Sequence, residues 1–515
     1  MSTEFKNTPL IDFSDEENRR KMEDAISKVE SELGKEWSLI INGKRIKCRD
    51  QFFSRNPSDY EQIIGIYQKA DQQHAVMALD ASIKTFETWR FASAEERAEY
   101  CFKIVDLMRE NRFELAAWMI LEIGKSWVEA DADVAEGIDL IKFYAHEVLR
   151  YAAEQPLIKV PYEENELRYI PLGAGIVIAP WNFPIAILGG MTAGAFAAGN
   201  TVVLKPSSDA PGVGRKFMEI LEKANLTPGV VNLVTGPGSD IGDTLVIHPQ
   251  TRFISFTGSK EVGLRINEHA SGISMGQKWI KRVIAEMGGK NAIIVDSEAD
   301  LDSAVEGVVV SAFGYSGQKC SACSRAVVVS DIYDDFIERL IERTKKIKIG
   351  PAKYYENWMG PVINLKALAS IMDYIEIGKR EGRLLYGGRR INGNGNFIEP
   401  TIIDNLDRKA TICREEIFGP VLSIIKAQDF KDAIEIANDS EYGLTGSVYS
   451  ENQEKLDLAK ELFHVGNLYF NRKCTGALVG VHPFGGFNMS GTDSKAGGRD
   501  YLLLFTQAKA ISKKI

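Results

Sequence analysis

The sequence predicts an α/β protein with two parallel-sheet domains and a small β extension. Three observations carry that prediction. Short apolar runs alternate with helical patterns from about residue 172 to 270, and the alternation resumes after Gly288-Gly289. The chain of 515 residues, at roughly 150 per domain, has room for about three domains. Its composition, 44% hydrophobic and 26% charged, is that of an ordinary globular chain, which excludes wholesale disorder and allows a large core without disulfides.

In chain order, Asp15 to Gly34 reads as a capped, charged helix and Trp37 to Cys48 as a hairpin turning at Asn42-Gly43. Long amphipathic helices follow from about Gln72 to Glu154, so the first region reads as mostly helical. Gly175–Ala179, Val202–Lys205, Val230–Val234 and Phe253–Phe256 then read as strands, with helical patterns at 185–198, 212–224, 239–247 and 260–269. Such alternation implies a parallel sheet with right-handed crossovers and a ligand site beyond the strand C-termini. Past a boundary near Gly288, a second block contains Ile293–Val295, a helix from Leu301, Ala326–Val329, a helix from Tyr333, Val421–Lys426 and Gly466–Phe470. Glu154–Ile170 and Tyr501–Ile515 are candidates to pair as the extension. The expected division is 1–153 with 172–287 as one α/β domain, 288–499 as a second, and 154–171 with 500–515 as the extension.

Lys+Arg 62 against Asp+Glu 71 gives a net charge of −9, which offers no footprint for nucleic acid or anionic lipid. The six cysteines, Cys48, Cys101, Cys320, Cys323, Cys413 and Cys474, are too scattered for a disulfide scaffold, so a reducing compartment is expected. The first twenty residues have no apolar core and carry several acids, which argues against a secretory or transit signal and for a cytoplasmic protein. No charged residue lies between Arg168 and Lys205, as in a membrane span. Pro180, Asn182 and Pro184 interrupt that stretch, and its longest unbroken part, Ile185 to Ala198, falls short of the ~20 residues needed to cross a bilayer. Buried α/β elements are equally apolar.

Gly236-Pro-Gly238-Ser-Asp-Ile-Gly242 is one residue too long for the usual dinucleotide turn, so it is weak evidence by itself. Phe256-Thr-Gly-Ser-Lys-Glu-Val-Gly263 follows a strand and opens a helix, either as an anion cradle or as a plain strand–helix junction. Lys205-Pro206 ends another strand at the same edge, as a second cation or simply as a solvated lysine. The strongest local signal is Gly317-Gln-Lys-Cys320-Ser-Ala-Cys323. A cysteine between a glycine-bearing turn and a lysine reads as a low-pKa nucleophile, against the alternatives of an inert buried thiol or a C-x-x-C redox pair. No second cysteine pair or histidine cluster accompanies it, so no metal is expected. Glu286-Met-Gly-Gly-Lys290 puts a carboxylate at the end of an apolar strand, where an acid is costly unless paired or used. Asn182, between Trp181 and Phe183, makes ordinary turn hydrogen bonds or holds an oxyanion. A nucleophile, a base and an amide donor are together the parts for acyl-transfer chemistry on a carbonyl.

With Ile178-Ala-Pro-Trp-Asn-Phe-Pro184, Gly199-Asn-Thr-Val-Val-Leu-Lys-Pro206, the Phe256 motif, Glu286-Met-Gly-Gly-Lys290, Cys320, Glu416-Ile-Phe-Gly-Pro420 and Pro483-Phe-Gly-Gly486 in this order, the chain resembles the aldehyde dehydrogenase superfamily. Gly314-Tyr-Ser-Gly-Gln-Lys-Cys-Ser-Ala-Cys-Ser-Arg325 and Cys474-Thr-Gly-Ala-Leu-Val-Gly480 resemble the branch that oxidises glutamate γ-semialdehyde in proline and arginine breakdown, in its bacterial single-function form. The resemblance implies that Cys320 attacks the aldehyde, Asn182 and the Cys320 N–H hold the oxyanion, and Glu286 activates water against the thioester. It implies NAD contacts at Ile178, Pro180, Trp181, Lys205, Ser208, Gly238, Phe256, Ser259, Val262, Met287, Glu416 and Phe418. It also implies a grip on the substrate carboxylate by Ser321, Gly476 and Ala477, with Phe183 and Phe484 flanking the aliphatic chain, and a homo-oligomer of at least a dimer. Many superfamily members carry Glu where this chain has Ser208, so NAD is expected with some tolerance of NADP. The rivals are an aldehyde dehydrogenase for another semialdehyde or one forming an acyl-CoA, and a non-catalytic structural member. The presence of Glu286 favours hydrolysis.

Overall fold

The structure is a computed structural model and describes residues 5–515. Asp15 caps α1 (Glu16–Glu30) by accepting the Glu17 N–H, and Met22, Ala25, Ile26 and Val29 are its buried residues. β1 (Lys35–Trp37), β2 (Leu39–Ile41) and β3 (Lys44–Ile46) follow. Asn42 and Gly43 have φ of 50° and 72°, as the tight turn between β2 and β3 requires. β4 (Asp50–Asn56) and β5 (Asp59–Lys69), which the sequence reading did not place, join β1 in a sheet ordered β1-β5-β4 within the mostly helical first region. Helices α2 (Gln72–Trp89), α3 (Ala94–Glu110), α4 (Arg112–Ile123) and α5 (Trp127–Ala152) then form the bulk of the N-terminal region.

The strand–helix block that follows consists of β6 (Glu163–Pro171), β7 (Ala174–Ile178), α6 (Ala186–Ala197), β8 (Thr201–Lys205), α7 (Pro211–Lys223), β9 (Val231–Leu233), α8 (Gly238–Ile247), β10 (Phe253–Thr257), α9 (Lys260–Ser271) and β11 (Arg282–Glu286). Its seven-stranded sheet runs β11-β10-β7-β8-β9-β2-β3 and is parallel apart from the β2–β3 hairpin. The uncharged window is explained here. β7 and β8 are central strands, and every residue of α6 except Ile187 is buried. Among the described residues no helix is long and apolar enough to cross a membrane.

The second block contains β12 (Asn291–Val295), α10 (Leu301–Phe313), β13 (Cys323–Val329), α11 (Tyr333–Thr344), α12 (Leu365–Glu381), β14 (Arg383–Tyr386), β15 (Thr401–Asp404), α13 (Thr411–Arg414), β16 (Val421–Ala427), α14 (Phe430–Asn438), β17 (Tyr442–Gly443), β18 (Thr445–Tyr449), α15 (Gln453–Leu462), β19 (Asn467–Phe470), β20 (Phe487–Asn488) and β21 (Thr506–Lys514). Its seven-stranded sheet is ordered β14-β15-β16-β13-β12-β18-β19, with only β14 antiparallel. β15 and β18 escape the sequence pattern because they are short and rich in small or polar residues, yet both are wholly buried. Helices cover both faces of each sheet, which is why strands such as β12 are buried at every position.

β6 and β21 form a separate antiparallel ribbon, registered from Thr506↔Pro171 to Lys514↔Glu163. One Arg282 nitrogen donates to the carbonyls of Leu503, Leu504 and Thr506 at 2.8, 2.7 and 2.9 Å. It ties the approach to β21 onto β11, the strand that ends at Glu286.

Candidate active site

Parallel register aligns the C-terminal ends of four strands. Ile178 pairs with Lys205, Phe256 pairs with both Ile178 and Ala285, and Glu286 follows one residue on. Lys205 is only 4% exposed, and its ammonium group reaches the Pro206 carbonyl at 3.3 Å. Burial pulls its pKa down to about 8, while Asp209 and Asp240 pull the other way. Gly238 opens α8 with no side-chain cap, and Ser259 caps α9 by accepting the Val262 N–H at 3.4 Å. Ser208 is half-buried after β8, as are Ile178 and Pro180 at the end of β7, and Val262 is exposed on α9. A sparsely bonded buried cation, an uncapped helix N-terminus and an exposed glycine are a donor set suited to the phosphates and ribose hydroxyls of a dinucleotide.

The cysteine sits on a constrained loop. Tyr315, Ser316 and Gly317 have φ of 53°, 55° and 68°, consecutive left-handed residues that cost about 1–3 kcal/mol each for the two with side chains. Surrounding bonds hold them. Ser316 Oγ donates to the Gly360 carbonyl at 2.7 Å and Tyr315 Oη to that of Ile123 at 3.2 Å. The Gln318 side chain donates to Tyr315 and Pro361 carbonyls and accepts the Ile363 N–H. A Cβ on Gly317 would lie 2.3 Å from the Gly419 carbonyl oxygen, so only glycine fits. Asn182 is 4% exposed and donates through Nδ2 to the Gln318 carbonyl at 3.1 Å, two residues before Cys320. Asn291 donates to the carbonyls of Cys320 and Ala322 at 2.7 and 2.9 Å and accepts the Thr445 N–H. Neither Gln318 nor Asn291 stood out in the sequence. The available signal was a polar residue opening the apolar strand β12.

Cys320, Glu286, Phe183, Ser321, Gly476, Ala477 and Phe484 line one cavity of about 230 Å³, together with Phe256 and Met287. Trp181 stands edge-on to Phe418 at 5.6 Å, and Phe418 has φ of 57°. Glu416 accepts the Gly289 N–H at 3.0 Å. The Thr475 and Gly476 carbonyls accept from Arg472 at 3.0 and 2.9 Å. In trans peptides the Gly476 and Ala477 N–H groups then point away from that arginine.

The electrostatics overturn one expectation. Lys319 does not serve the thiol, because its ammonium pairs with Glu129 at 2.6 Å. Burial pushes the Cys320 thiol up to about 12, and Glu416, Glu286 and Glu136 push it the same way. Nor does Cys323 partner Cys320. Its thiol donates to the Arg325 carbonyl at 3.4 Å, while the Cys474 sulfur donates to the Ser321 carbonyl at 3.2 Å. Burial raises Glu286 to about 7 against three stabilising donors. Ser494 Oγ–H and the N–H groups of Ser494 and Gly486 lie 2.8, 3.1 and 3.2 Å from its oxygens. Ser494 and Glu136, also in the cavity wall, were not anticipated. Among the described residues no group of three or more His, Cys, Asp or Glu side chains could hold a metal ion.

Residues 46–511 match the model of the aldehyde dehydrogenase family. The chain is 52% identical over 513 residues to 1-pyrroline-5-carboxylate dehydrogenase of Geobacillus sp. (strain WCH70), covering 100% of both. The solved structure of 1-pyrroline-5-carboxylate dehydrogenase from Thermus with bound NAD matches with a TM-score of 0.98 and 49% identity, covering 100% of both chains. Proline utilization A from Bdellovibrio bacteriovorus matches with a TM-score of 0.98 and 41% identity, covering 100% of this chain and 54% of that one.

Proposed function

The chain belongs to the aldehyde dehydrogenase family, and on that premise we propose that it oxidises L-glutamate γ-semialdehyde, the open form of 1-pyrroline-5-carboxylate, to L-glutamate with NAD. The observation that carries this reading is the single cavity joining Cys320 and Glu286 to Ser321, Gly476 and Ala477. The first pair supplies a nucleophile and a base, and the second group supplies a hydroxyl and two backbone N–H groups for a carboxylate.

Lys205, Gly238, Ser259 and Glu416 would hold NAD, with Ile178, Pro180, Trp181, Ser208, Phe256, Val262, Met287 and Phe418 around them. When bound, NAD supplies a cationic ring that accepts a hydride and offsets the acids around the thiol. Cys320 Sγ attacks the aldehyde carbon as the thiolate, its proton having passed to solvent. The oxyanion is held by the free Asn182 Nδ2–H and the Cys320 N–H, while the other Asn182 hydrogen stays on the Gln318 carbonyl. Loss of hydride leaves a thioester on Cys320. Glu286, in its ionised form, then takes a proton from water as the water attacks the thioester, and L-glutamate departs. A base poised at about 7 suits that step. Phe183 and Phe484 would pack against the aliphatic chain.

Ser208 places no charge against a 2′-phosphate, so NADP is tolerated below NAD. The β6–β21 ribbon would assemble a cytoplasmic homo-oligomer, which size-exclusion with light scattering tests. The decisive assay mixes protein, NAD and the semialdehyde, with and without coenzyme A, follows reduced nicotinamide and identifies the product. The wild type turns over and Cys320→Ala does not. Full activity in Cys320→Ala, or an acyl-CoA product in place of glutamate, would overturn the reading.

A further inference from the structure

The family match begins at residue 46, yet residues far ahead of it reach the substrate cavity. Two carboxylates on α5, Asp131 and Asp139, are 1% and 4% exposed, and such groups are costly without donors. Much of what satisfies them comes from the N-terminal segment. The Thr8 N–H and hydroxyl donate to Asp139 at 2.9 and 2.7 Å, and the Ile11 N–H donates to Asp131 at 2.8 Å. Arg112 pairs with Asp131 while donating to the Pro9 carbonyl at 2.9 Å. The segment is thereby seated along α5.

From that seat it touches the loop at 475–480. Asn7 Nδ2 lies 3.1 Å from Asp139 and 3.1 Å from the Val479 carbonyl, bridging the helix to the loop. Phe5 packs edge-on against Phe143 at 5.2 Å, filling the space beside Gly480. A Cβ on Gly480 would lie 3.2 Å from Phe143 and 3.5 Å from Phe5, and its φ of 76° also requires glycine. Leu10 and Val479 both line the cavity.

We propose that Phe5–Asp12 is a strap that sets the 475–480 loop for the substrate's α-carboxylate, with Asn7 as the positioning residue. This rests on the function proposed above, in which the Gly476 and Ala477 N–H groups receive that carboxylate. Glu286 takes its hydrogen bonds from Ser494 and Gly486, not from the strap, so the strap governs recognition of the carboxylate and leaves the thiol chemistry intact.

The test uses the full-length protein and two aldehydes, glutamate γ-semialdehyde and butanal, which has no carboxylate. Asn7→Ala loses the bonds to both Asp139 and Val479, and loss of the one that holds the loop predicts a KM for the semialdehyde raised about three- to ten-fold. Its kcat, and KM for butanal, stay near wild type. Thr8→Val removes a bond to Asp139 but keeps the Asn7–Val479 contact, so its KM stays near wild type while thermal unfolding reports the lost bond. An equal KM rise for both aldehydes in Asn7→Ala overturns the strap, as does a fall in kcat alone, no change, or a Thr8→Val effect as large. A wild type that turns over butanal but not the semialdehyde removes the functional reading itself, and the strap's role with it.

Discussion

Ser494 controls the pH at which the proposed base works. Its hydroxyl donates to Glu286 Oε1 at 2.8 Å and is the largest of the effects that hold the Glu286 pKa down against burial. A hydrogen bond to a charged group contributes about 1.5–3 kcal/mol, and 1.36 kcal/mol corresponds to one pH unit, so losing it raises the pKa by about 1–2 units. The Ser494 and Gly486 N–H groups remain in Ser494→Ala, which favours the lower end. The sign is fixed: the hydroxyl stabilises the ionised form, and its removal moves the acid limb of kcat from about 7 to about 8. At pH 7 the ionised fraction falls from about one half to about one tenth, a roughly five-fold loss of kcat when deacylation limits. Near pH 9 the variant approaches wild type. The assay is a kcat–pH profile for wild type, Ser494→Ala and Ser494→Thr, the last restoring the donor. A limb that stays in place or shifts to lower pH would falsify the role given to this bond.

Three further outcomes are expected. Glu286→Gln keeps a pre-steady-state burst of reduced nicotinamide but turns over slowly, because acylation survives while water activation fails; stopped-flow absorbance checks this, and a missing burst contradicts the order of steps. Asn182→Ala lowers kcat/KM by about 10²–10³-fold, as loss of one oxyanion donor does elsewhere, measured by steady-state kinetics. Lys125 and Asp133 are both fully buried, pair at 2.7 Å, and Asp133 also accepts the Ala186 N–H that opens α6 behind Phe183. Lys125→Met therefore leaves a buried unpaired carboxylate and costs about 3–5 kcal/mol in urea unfolding, with Lys125→Met/Asp133→Leu recovering part of it. A single variant as stable as wild type would show that the pair contributes nothing.

Much of the architecture was legible because it is local. The Asn42-Gly43 turn, the cap at Asp15 and the alternation of short apolar strands with helices depend on residues a few positions apart, and periodicity encodes those directly. The same holds for the motifs containing Asn182, Glu286 and Cys320, each within a short run. In the three-stranded sheet around β5, the β4–β5 hairpin closing at Pro57-Ser58 is local and was missed, whereas the pairing of β1 with β5 joins Lys35 to Gly65 and leaves no local mark.

The sequence by itself determined the fold class, the family resemblance and which side chains are chemically able to serve as nucleophile, base and amide donor. Tertiary structure decided the condition those side chains are in. Lys319, adjacent to Cys320 in the chain, is claimed by Glu129, 190 residues away. Glu286 is tuned by Ser494 across 208 residues, and the loop at Val479 is met by Asn7 across 472. Desolvation and long-range hydrogen bonds set pKa and loop position, and both arise only once distant segments share one interior.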